Sequence, residues 1–537
     1  MLQQLIAFMV ICTFQVSILF AQGHEERFNA IDVLHYTFQV ELNDENDQVK
    51  GQAAVQVSFK KPLDKFPLDL KSKNKDGLGM VVSKVLEDGS PVDFDHSEDK
   101  LTIKPKVTST GEKRTYIIEY MGEPQDGMII GQNKYHDRTF FADHWPDRAH
   151  NWLPCVDHPS DKAIIEFIVT APSHYDIIAS GYLVGEEVNK GMKTAHWKTK
   201  VPLPTKISVI GIADFEIVDL GNFNGVPLSA WVYPQEAQYA KDAYSITKDV
   251  LEYYSMMVGP YPCEKLANVQ SKTIYGGTEN AGNIFYNENL VVRNGRPVYE
   301  QHEDVVVHEL AHQWFGNSVS ESNWYHVWIS EGFATYFTDL FIEHMYGVDS
   351  LNKRLISERR RVIGYTNNRR YAPVVDTTPR APQYLLSALT YQKGAWFLHM
   401  LRHKIGDELF WQSIQKYYDT YKLSNVLTED FQEIVEQVSE MMLDDFFKQW
   451  LYTAGHPVLS LDWKYDSGKI SIDLGQHQPD YVFKFPIDIQ VKFAGNPDLI
   501  ETFYIDKRKQ TIEIRSDLEP AEIIPDPEVR LLYEFKE

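Results

Sequence analysis

The hydrophobic period of the chain changes along its length, and this constrains the fold more than any other feature. From residue 30 to 234, apolar side chains alternate with polar ones, as at Tyr36, Phe38 and Val40. A period of two is typical of β-strands. From 235 to 455, apolar residues recur at spacings of three and four, which indicates amphipathic helices. The sequence therefore predicts a β-rich region followed by a helical one.

A third region follows, in which Ile470, Ile472 and Leu474 again alternate with polar residues. The chain has 537 residues, too many for a single hydrophobic core. We expect a multidomain α+β protein with an N-terminal β-sheet domain at 24–234, a mainly α domain at 235–455, and a small C-terminal Ig-like β-sandwich at 456–537.

The charge balance restricts the classes of partner. The chain carries 53 basic and 76 acidic residues, a net charge of −23. Such an excess of negative charge repels phosphate groups and argues against nucleic acid or anionic lipid as a partner. A small or peptidic molecule is the expected partner.

Residues 1–23 predict export. They carry no charged side chain and include a mainly apolar run from Leu5 to Phe20, followed by the small residues Ala21 and Gly23. This composition favours a cleaved signal peptide. A retained membrane anchor is the alternative, although the run is shorter than the ~20 residues that span a bilayer. We expect no stable membrane insertion after cleavage.

Two further counts bear on the compartment. Outside the signal segment the cysteines are Cys155 and Cys263, too few for a disulfide framework. No Asn-x-Ser/Thr acceptor occurs, which favours export from a bacterium, to the periplasm or the medium. The sequence does not decide whether the two thiols pair.

The segment VVVHELAHQWFG at 305 to 316 predicts a metal site. Residues four apart share a helix face, so His308 and His312 can direct two imidazoles at one ion while Glu309 lies beside them. A chance HExxH in a chain with 18 histidines is the alternative, and a second signal is needed.

Glu331 in WISEGFATYFTDLF supplies that second signal. The apolar spacing predicts a helix whose first turn contains Glu331. Two histidines and a glutamate are a standard catalytic zinc set, with a fourth position left open. The helix dipole also favours a carboxylate in a first turn, so Glu331 alone would not indicate a ligand.

The sequence resembles the M1 family of zinc aminopeptidases. HELAHQWFGN followed by WISEGFATYF matches the family's ligand spacing, GGTENAGNIFY at 276 to 286 is similar to its GxMEN exopeptidase motif, and TYQKGAWFLHML is similar to its tyrosine segment. NWLPCVDHPSDKA at 151 to 163 is similar as well. The resemblance implies a thermolysin-like catalytic domain and the short three-domain form, without the long C-terminal helical domain.

The resemblance implies a zinc-dependent aminopeptidase with one Zn²⁺ per chain and peptides with a free N-terminus as substrates. It implies three metal ligands: His308, His312 and Glu331. It implies two catalytic residues, Glu309 as general base and Tyr391 as the donor to the developing oxyanion. It implies four substrate-binding residues: Glu279 for the α-ammonium group, and Gly276, Gly277 and Asn280 for the peptide backbone.

The chain departs from the family pattern at three positions. Thr278 replaces the usual Met, His150 stands where Arg is common, and Ser330 replaces Asn before the third ligand. These changes affect the pocket for the first side chain and the contacts that orient the ligands.

Three alternatives stay open on the sequence. A thermolysin-like endopeptidase would share the zinc ligands and Glu309, but it has no use for Glu279. The epoxide-hydrolysing relatives of the family use the same zinc site on a lipid. A peptide-binding protein that has lost catalysis would keep the fold without needing the complete residue set.

Overall fold

The computed structural model describes residues 26–378 and 380–536. The predicted signal peptide, residues 1–23, lies outside the described residues. The chain forms two compact units. The first contains the described residues up to Trp324 with the segments 378–384 and 418–426, and the second contains 325–377, 385–417 and the residues from 427 onward.

The first unit is built on an eight-stranded sheet, which confirms the predicted β-rich N-terminal region. Tyr36, Phe38 and Val40 are buried because every second residue of their strand faces the core. The strands, in spatial order, are Tyr182–Asn189, Met192–Lys198, Ile164–Pro172, Ile31–Glu41, Val49–Phe59, Lys113–Glu123, Gly79–Glu87 and Ser90–Pro91.

Three smaller sheets complete most of the β-structure of this unit. A four-stranded sheet has the order Asp176–Ala179, Ile210–Ala213, Arg138–Ala142 and Met128–Gln132. A three-stranded sheet contains Phe66–Asp69, Lys100–Ile103 and Phe94–Ser97. A five-stranded sheet has the order Glu216–Phe223, Val226–Val232, Leu266–Ser271, Asn283–Asn287 and Gly277–Thr278.

Short strand pairs and helices complete the described part of the first unit. Val292–Arg293 pairs with Arg296–Pro297, and Ser320–Glu321 pairs with Asn425–Val426. The α-helices are Ala240–Ala243, Thr247–Met257 and Glu303–Ala311. The candidate site residues of this unit lie on, or within two residues of, this last helix and the edge strand Gly277–Thr278.

The second unit begins with helices, as the sequence predicts for a helical catalytic region. Trp328, Phe333, Phe397 and Phe431 pack against one another in its core. Its α-helices are Trp328–Tyr346, Val348–Asn368, Gly394–Ile405, Asp407–Tyr421 (whose last turn is grouped with the first unit), Thr428–Ser439 and Asp444–Leu451. None of the helices in the described part of the chain is both long and apolar enough to cross a membrane.

Two sheets follow the helices. One has the strand order Lys509–Arg515, Lys469–Gln476, Val458–Asp466 and Glu534–Phe535. The other has the order Asn496–Ile505, Phe485–Phe493 and Glu522–Pro525. The alternating residues Ile470, Ile472 and Leu474 are buried, as a strand with one face on a core requires. The domain boundaries at 234 and 455 stay predictions.

Both cysteines of the described chain are buried free thiols. Cys263 donates to the Oε1 atom of Gln313 at 3.8 Å. No Cys155–Cys263 bridge is formed.

Candidate metal centre

The helix Glu303–Ala311 positions the two histidines. It carries His308, and His312 follows it at the C-cap with helical dihedral angles, so both rings project from the same side. Their Nε2 atoms are 3.2 Å apart, and the ring planes are perpendicular. Two nitrogens each about 2.0–2.1 Å from a tetrahedral zinc ion would be roughly 3.3 Å apart, so the separation fits a shared ion.

The second ring nitrogen of His312 sets the tautomer. The Nδ1 atom of His312 lies 3.0 Å from the backbone carbonyl oxygen of Phe315. A carbonyl oxygen can only accept, so Nδ1 carries the proton and donates. The lone pair of Nε2 is then available to a metal, an orientation that a hydrogen bond from the far nitrogen commonly fixes in metal sites.

Glu331 completes the donor set. It lies in the first turn of the helix Trp328–Tyr346 and is buried. The potential ligand atoms of His308, His312 and Glu331 all lie within 4.8 Å of one another. No other group of three His, Cys, Asp or Glu side chains in residues 26–378 and 380–536 has this property. Two imidazoles and one carboxylate are a donor set that suits zinc with an open fourth position.

Glycines bring the Glu331 helix close to the tyrosine segment. A Cβ atom on Gly332 would lie 3.0 Å from the Cα of Gly394 and 3.0 Å from the carbonyl oxygen of Thr390. Only a residue without a side chain allows two backbones to approach this closely. This contact fixes the helix of Glu331 against the segment that carries Tyr391.

Tyr391 lies in the π-helical turn Leu389–Lys393, which leads into the helix Gly394–Ile405. Such turns are frequent at functional sites. The turn is anchored by Lys393, whose Nζ donates to the carbonyl oxygens of Gly455 at 2.8 Å and Thr453 at 3.3 Å. Burial lowers the pKa of the Lys393 ammonium group to about 7.

Glu279 directly follows the edge strand Gly277–Thr278. Its backbone carbonyl oxygen accepts hydrogen bonds from the Nε2 of Gln313 at 2.9 Å and the Nδ2 of Asn317 at 2.6 Å. The residue is 5% exposed, and its Oε1 atom has no hydrogen-bond partner within the described chain. A buried carboxylate oxygen without a donor is costly, and this atom can accept a hydrogen bond from a cationic or donating group.

The neighbouring predicted residues of this segment differ in their surroundings. Gly276 is exposed, and its carbonyl oxygen accepts from the backbone N–H of Asn287. A Cβ on Gly277 would lie 2.6 Å from the Cγ and Oε1 atoms of Glu309, so this glycine passes directly beside the predicted base. Asn280 is buried and donates to the hydroxyl of Thr278 at 3.0 Å.

Three residues that support the site were not predicted. Gln313 and Asn317 hold the backbone of Glu279, and Lys393 anchors the turn of Tyr391. All three are polar residues inside the motifs HELAHQWFGN and TYQKGA, and all three are buried. That context was the available signal, because a polar side chain in a buried motif needs a partner.

Two domains of a known protein family match this chain. The peptidase family M1 domain matches residues 242–450, and the peptidase M1 N-terminal domain matches residues 33–207. Together the two matches cover well over half of the chain, in the order that the motifs have. The chain belongs to peptidase family M1.

The relatives agree with this assignment. A probable aminopeptidase 2 of Sulfurisphaera tokodaii is 27% identical over 83% of this chain and 58% of its own length. The glutamyl aminopeptidase of Rattus norvegicus is 28% identical over 91% of this chain and 54% of its own length. The chain thus spans little more than half the length of these relatives.

A solved structure is similar over a larger share of its length. The M1 zinc metallopeptidase of Deinococcus radiodurans has a TM-score of 0.68 and 25% identity, covering 80% of this chain and 95% of the other. A mutant of that enzyme was solved with a Tyr-Ser-Ala substrate.

Proposed function

We propose that the protein is a zinc-dependent aminopeptidase that removes N-terminal residues from peptides. One observation carries the proposal: the convergence of His308, His312 and Glu331 within 4.8 Å, on a chain of family M1. His308, His312 and Glu331 would hold a zinc ion, which would supply Lewis-acid polarisation of a water molecule and of the scissile carbonyl group. The relatives favour none of the alternatives that the sequence left open.

Glu309 acts as the general base. It is buried next to His308 on the same helix, and it is not a member of the ligand group. Its carboxylate takes a proton from the attacking water and transfers it to the leaving amine. Close packing against Gly277 holds this side chain in one position, and efficient proton transfer requires a fixed position.

Glu279 selects the free N-terminus. Its Oε1 atom is buried without a donor, so an α-ammonium group would supply the missing hydrogen bond and the opposite charge. An acetylated N-terminus has no charge and leaves the carboxylate unpaired, which makes a blocked peptide a poor ligand. Binding of the α-ammonium group at Glu279 also sets the distance between the N-terminus and the metal. The peptide is therefore cleaved near its N-terminus, which is exopeptidase action.

Tyr391 stabilises the developing oxyanion. A phenol O–H donates to the carbonyl oxygen as negative charge grows on it, without itself changing charge. The π-helical turn and the anchored Lys393 fix the backbone segment that carries the phenol before substrate binds. A preorganised donor of this kind acts more strongly on the transition state than on the bound peptide.

Three finer features belong to the same proposal. The two C-terminal sheets, with strands from Val458 to Phe535, form the Ig-like β-sandwich. The protein is exported from a bacterial cell to the periplasm or the medium, on the basis of residues 1–23. Its substrates are peptides with a free N-terminus, and its net charge of −23 disfavours nucleic acid.

Replacement of the base separates catalysis from metal binding. Glu309→Gln should retain one zinc ion per chain and lose turnover of a free tripeptide by about 10³-fold or more, since the amide cannot accept the proton. Asp304→Asn, at an exposed position on the same helix, is the matched control and should leave both unchanged. Full turnover by Glu309→Gln with zinc bound would contradict the proposed role.

A further inference from the structure

Glu279 is held through its backbone by the segment that follows the metal helix. Gln313 and Asn317 both donate to the carbonyl oxygen of Glu279, and Gln313 Oε1 also accepts the backbone N–H of Gly282 at 3.0 Å. The position of the Glu279 carboxylate therefore depends on where residues 313–321 lie.

That segment is in turn fixed by two lysines from the β-rich region, the half-buried Lys162 and the buried Lys206. Lys162 Nζ donates to the backbone carbonyl oxygens of Asn317 at 3.3 Å and of Ser318 and Ser424 at 2.9 Å each. Three acceptors match the three N–H bonds of an ammonium group. Lys162 thus holds the same residue whose side chain holds Glu279.

The second lysine, Lys206, contacts the same segment at Glu321, four residues after Asn317. Lys206 Nζ lies 2.6 Å from the Oε1 atom of Glu321, and the two side chains are 1% and 0% exposed. Lys206 also lies 5.4 Å from the centre of the Trp324 ring. Within the described chain the Oε2 atom of Glu321 has no hydrogen-bond partner.

Stability alone does not explain the buried Lys206–Glu321 pair. Removing two charges from water is so costly that an apolar pair of the same size is often as stable or more stable. Burial, with a smaller effect from Lys206, lowers the pKa of Lys162 to about 7. Burial also raises the pKa of Glu321, and the nearby charge of Glu279 adds to this effect. The chain keeps ionisable residues beside the segment that determines the position of Glu279.

We propose that Lys162 and the Lys206–Glu321 pair are positioning residues for amine recognition, acting on Glu279 through residues 317–321. This inference rests on the proposed function, because it assumes that Glu279 binds the substrate ammonium group. It assigns the two lysines no contact with substrate. Their effect is on the binding of the free N-terminus and not on proton transfer at Glu309.

The test compares KM with kcat for the tripeptide Tyr-Ser-Ala. Lys162→Met, and the double replacement Lys206→Met with Glu321→Met, should each raise KM by about tenfold while kcat stays within about threefold. Zinc content should stay at one per chain. Arg114→Met, which breaks the Arg114–Glu87 pair elsewhere in the first unit, is the control and should change neither constant.

A Glu279→Gln background makes the test specific. If the lysines act through Glu279, their replacement should not raise KM further once Glu279→Gln is present, because the ammonium partner is already lost. An equal rise in both backgrounds would overturn the inference. Should Lys162→Met fail to fold, Lys162→Arg keeps the charge and two or more donors, and a KM between those of the parent and Glu279→Gln is expected.

The outcomes separate the two proposals. If the unsubstituted chain leaves Tyr-Ser-Ala intact, the proposed function is wrong and this inference falls with it. If the unsubstituted chain trims the peptide and Glu279→Gln raises KM, but the folded lysine variants match the parent, only this inference is overturned. A fall in kcat with unchanged KM would also overturn it, since that pattern indicates a role in chemistry.

Discussion

Gly277→Ala tests how tightly the catalytic base is held. The added Cβ would lie 2.6 Å from Glu309 Cγ and Oε1 and 2.7 Å from Cδ, whereas ordinary carbon contacts are about 3.5–4.0 Å. The buried Glu309 carboxylate must therefore move by about 1 Å, and a displacement of that size can cost about 10²-fold in rate. We expect kcat for a free tripeptide to fall by about 10²-fold with zinc still bound.

Gly185→Ala is the matched control for this substitution. A Cβ on Gly185, in the strand Tyr182–Asn189, would have no heavy atom within 4 Å, so nothing must move. Turnover of Gly185→Ala should stay within about threefold of the parent. If Gly277→Ala is as active as the parent, the Glu309 side chain is not displaced by the added methyl group. An equal fall in kcat for both alanine variants would also contradict the prediction, because such a fall would not depend on contact with Glu309.

Three further predictions concern the tyrosine, a helix contact and a buried acid. Tyr391→Phe should lower kcat by about 10²–10³-fold with zinc content unchanged, and activity within a few-fold of the parent would contradict the oxyanion role. Gly332→Ala forces a 3.0 Å contact with Gly394 and should destabilise the protein by about 1–3 kcal/mol in urea unfolding, whereas Gly364→Ala, with open space around it, should not. Burial raises the pKa of Asp161 to about 7. Between pH 4 and pH 7 the unfolded chain therefore loses the carboxyl proton of Asp161 while the folded chain keeps it. Because the unfolded chain binds fewer protons in this range, the free energy of unfolding falls as pH rises. Asp161→Asn should therefore stabilise the protein by about 2 kcal/mol more at pH 8 than at pH 5, and an equal effect at both would contradict the shifted pKa.

The sequence predicts local structure well because period and spacing are local properties. Alternation at Tyr36, Phe38 and Val40 correctly indicates a strand with one buried face. It does not show that this strand pairs in parallel with Ile164–Pro172, because contacts between distant segments depend on the packing of the whole sheet. The β-rich and helical regions could be predicted, whereas the strand orders could not.

The same limit applies to the site. His308 and His312 lie one helical turn apart, so their convergence follows from helix geometry. Glu279 lies 29 residues before His308, and its position relative to the metal helix could be proposed only from the family resemblance. The hydrogen bonds that hold Glu279, from Gln313 and Asn317, depend on tertiary packing and required the structure.

The proposed reaction is zinc-dependent removal of residues from a free N-terminus. The most direct test is incubation of the purified protein with one unstructured peptide, N-terminally free or acetylated, with and without a zinc chelator, followed by mass spectrometry. We expect stepwise loss of N-terminal residues from the free peptide alone, abolished by the chelator and restored by zinc. Internal cleavage of both peptides would contradict the role of Glu279, and no cleavage of either would contradict aminopeptidase activity itself.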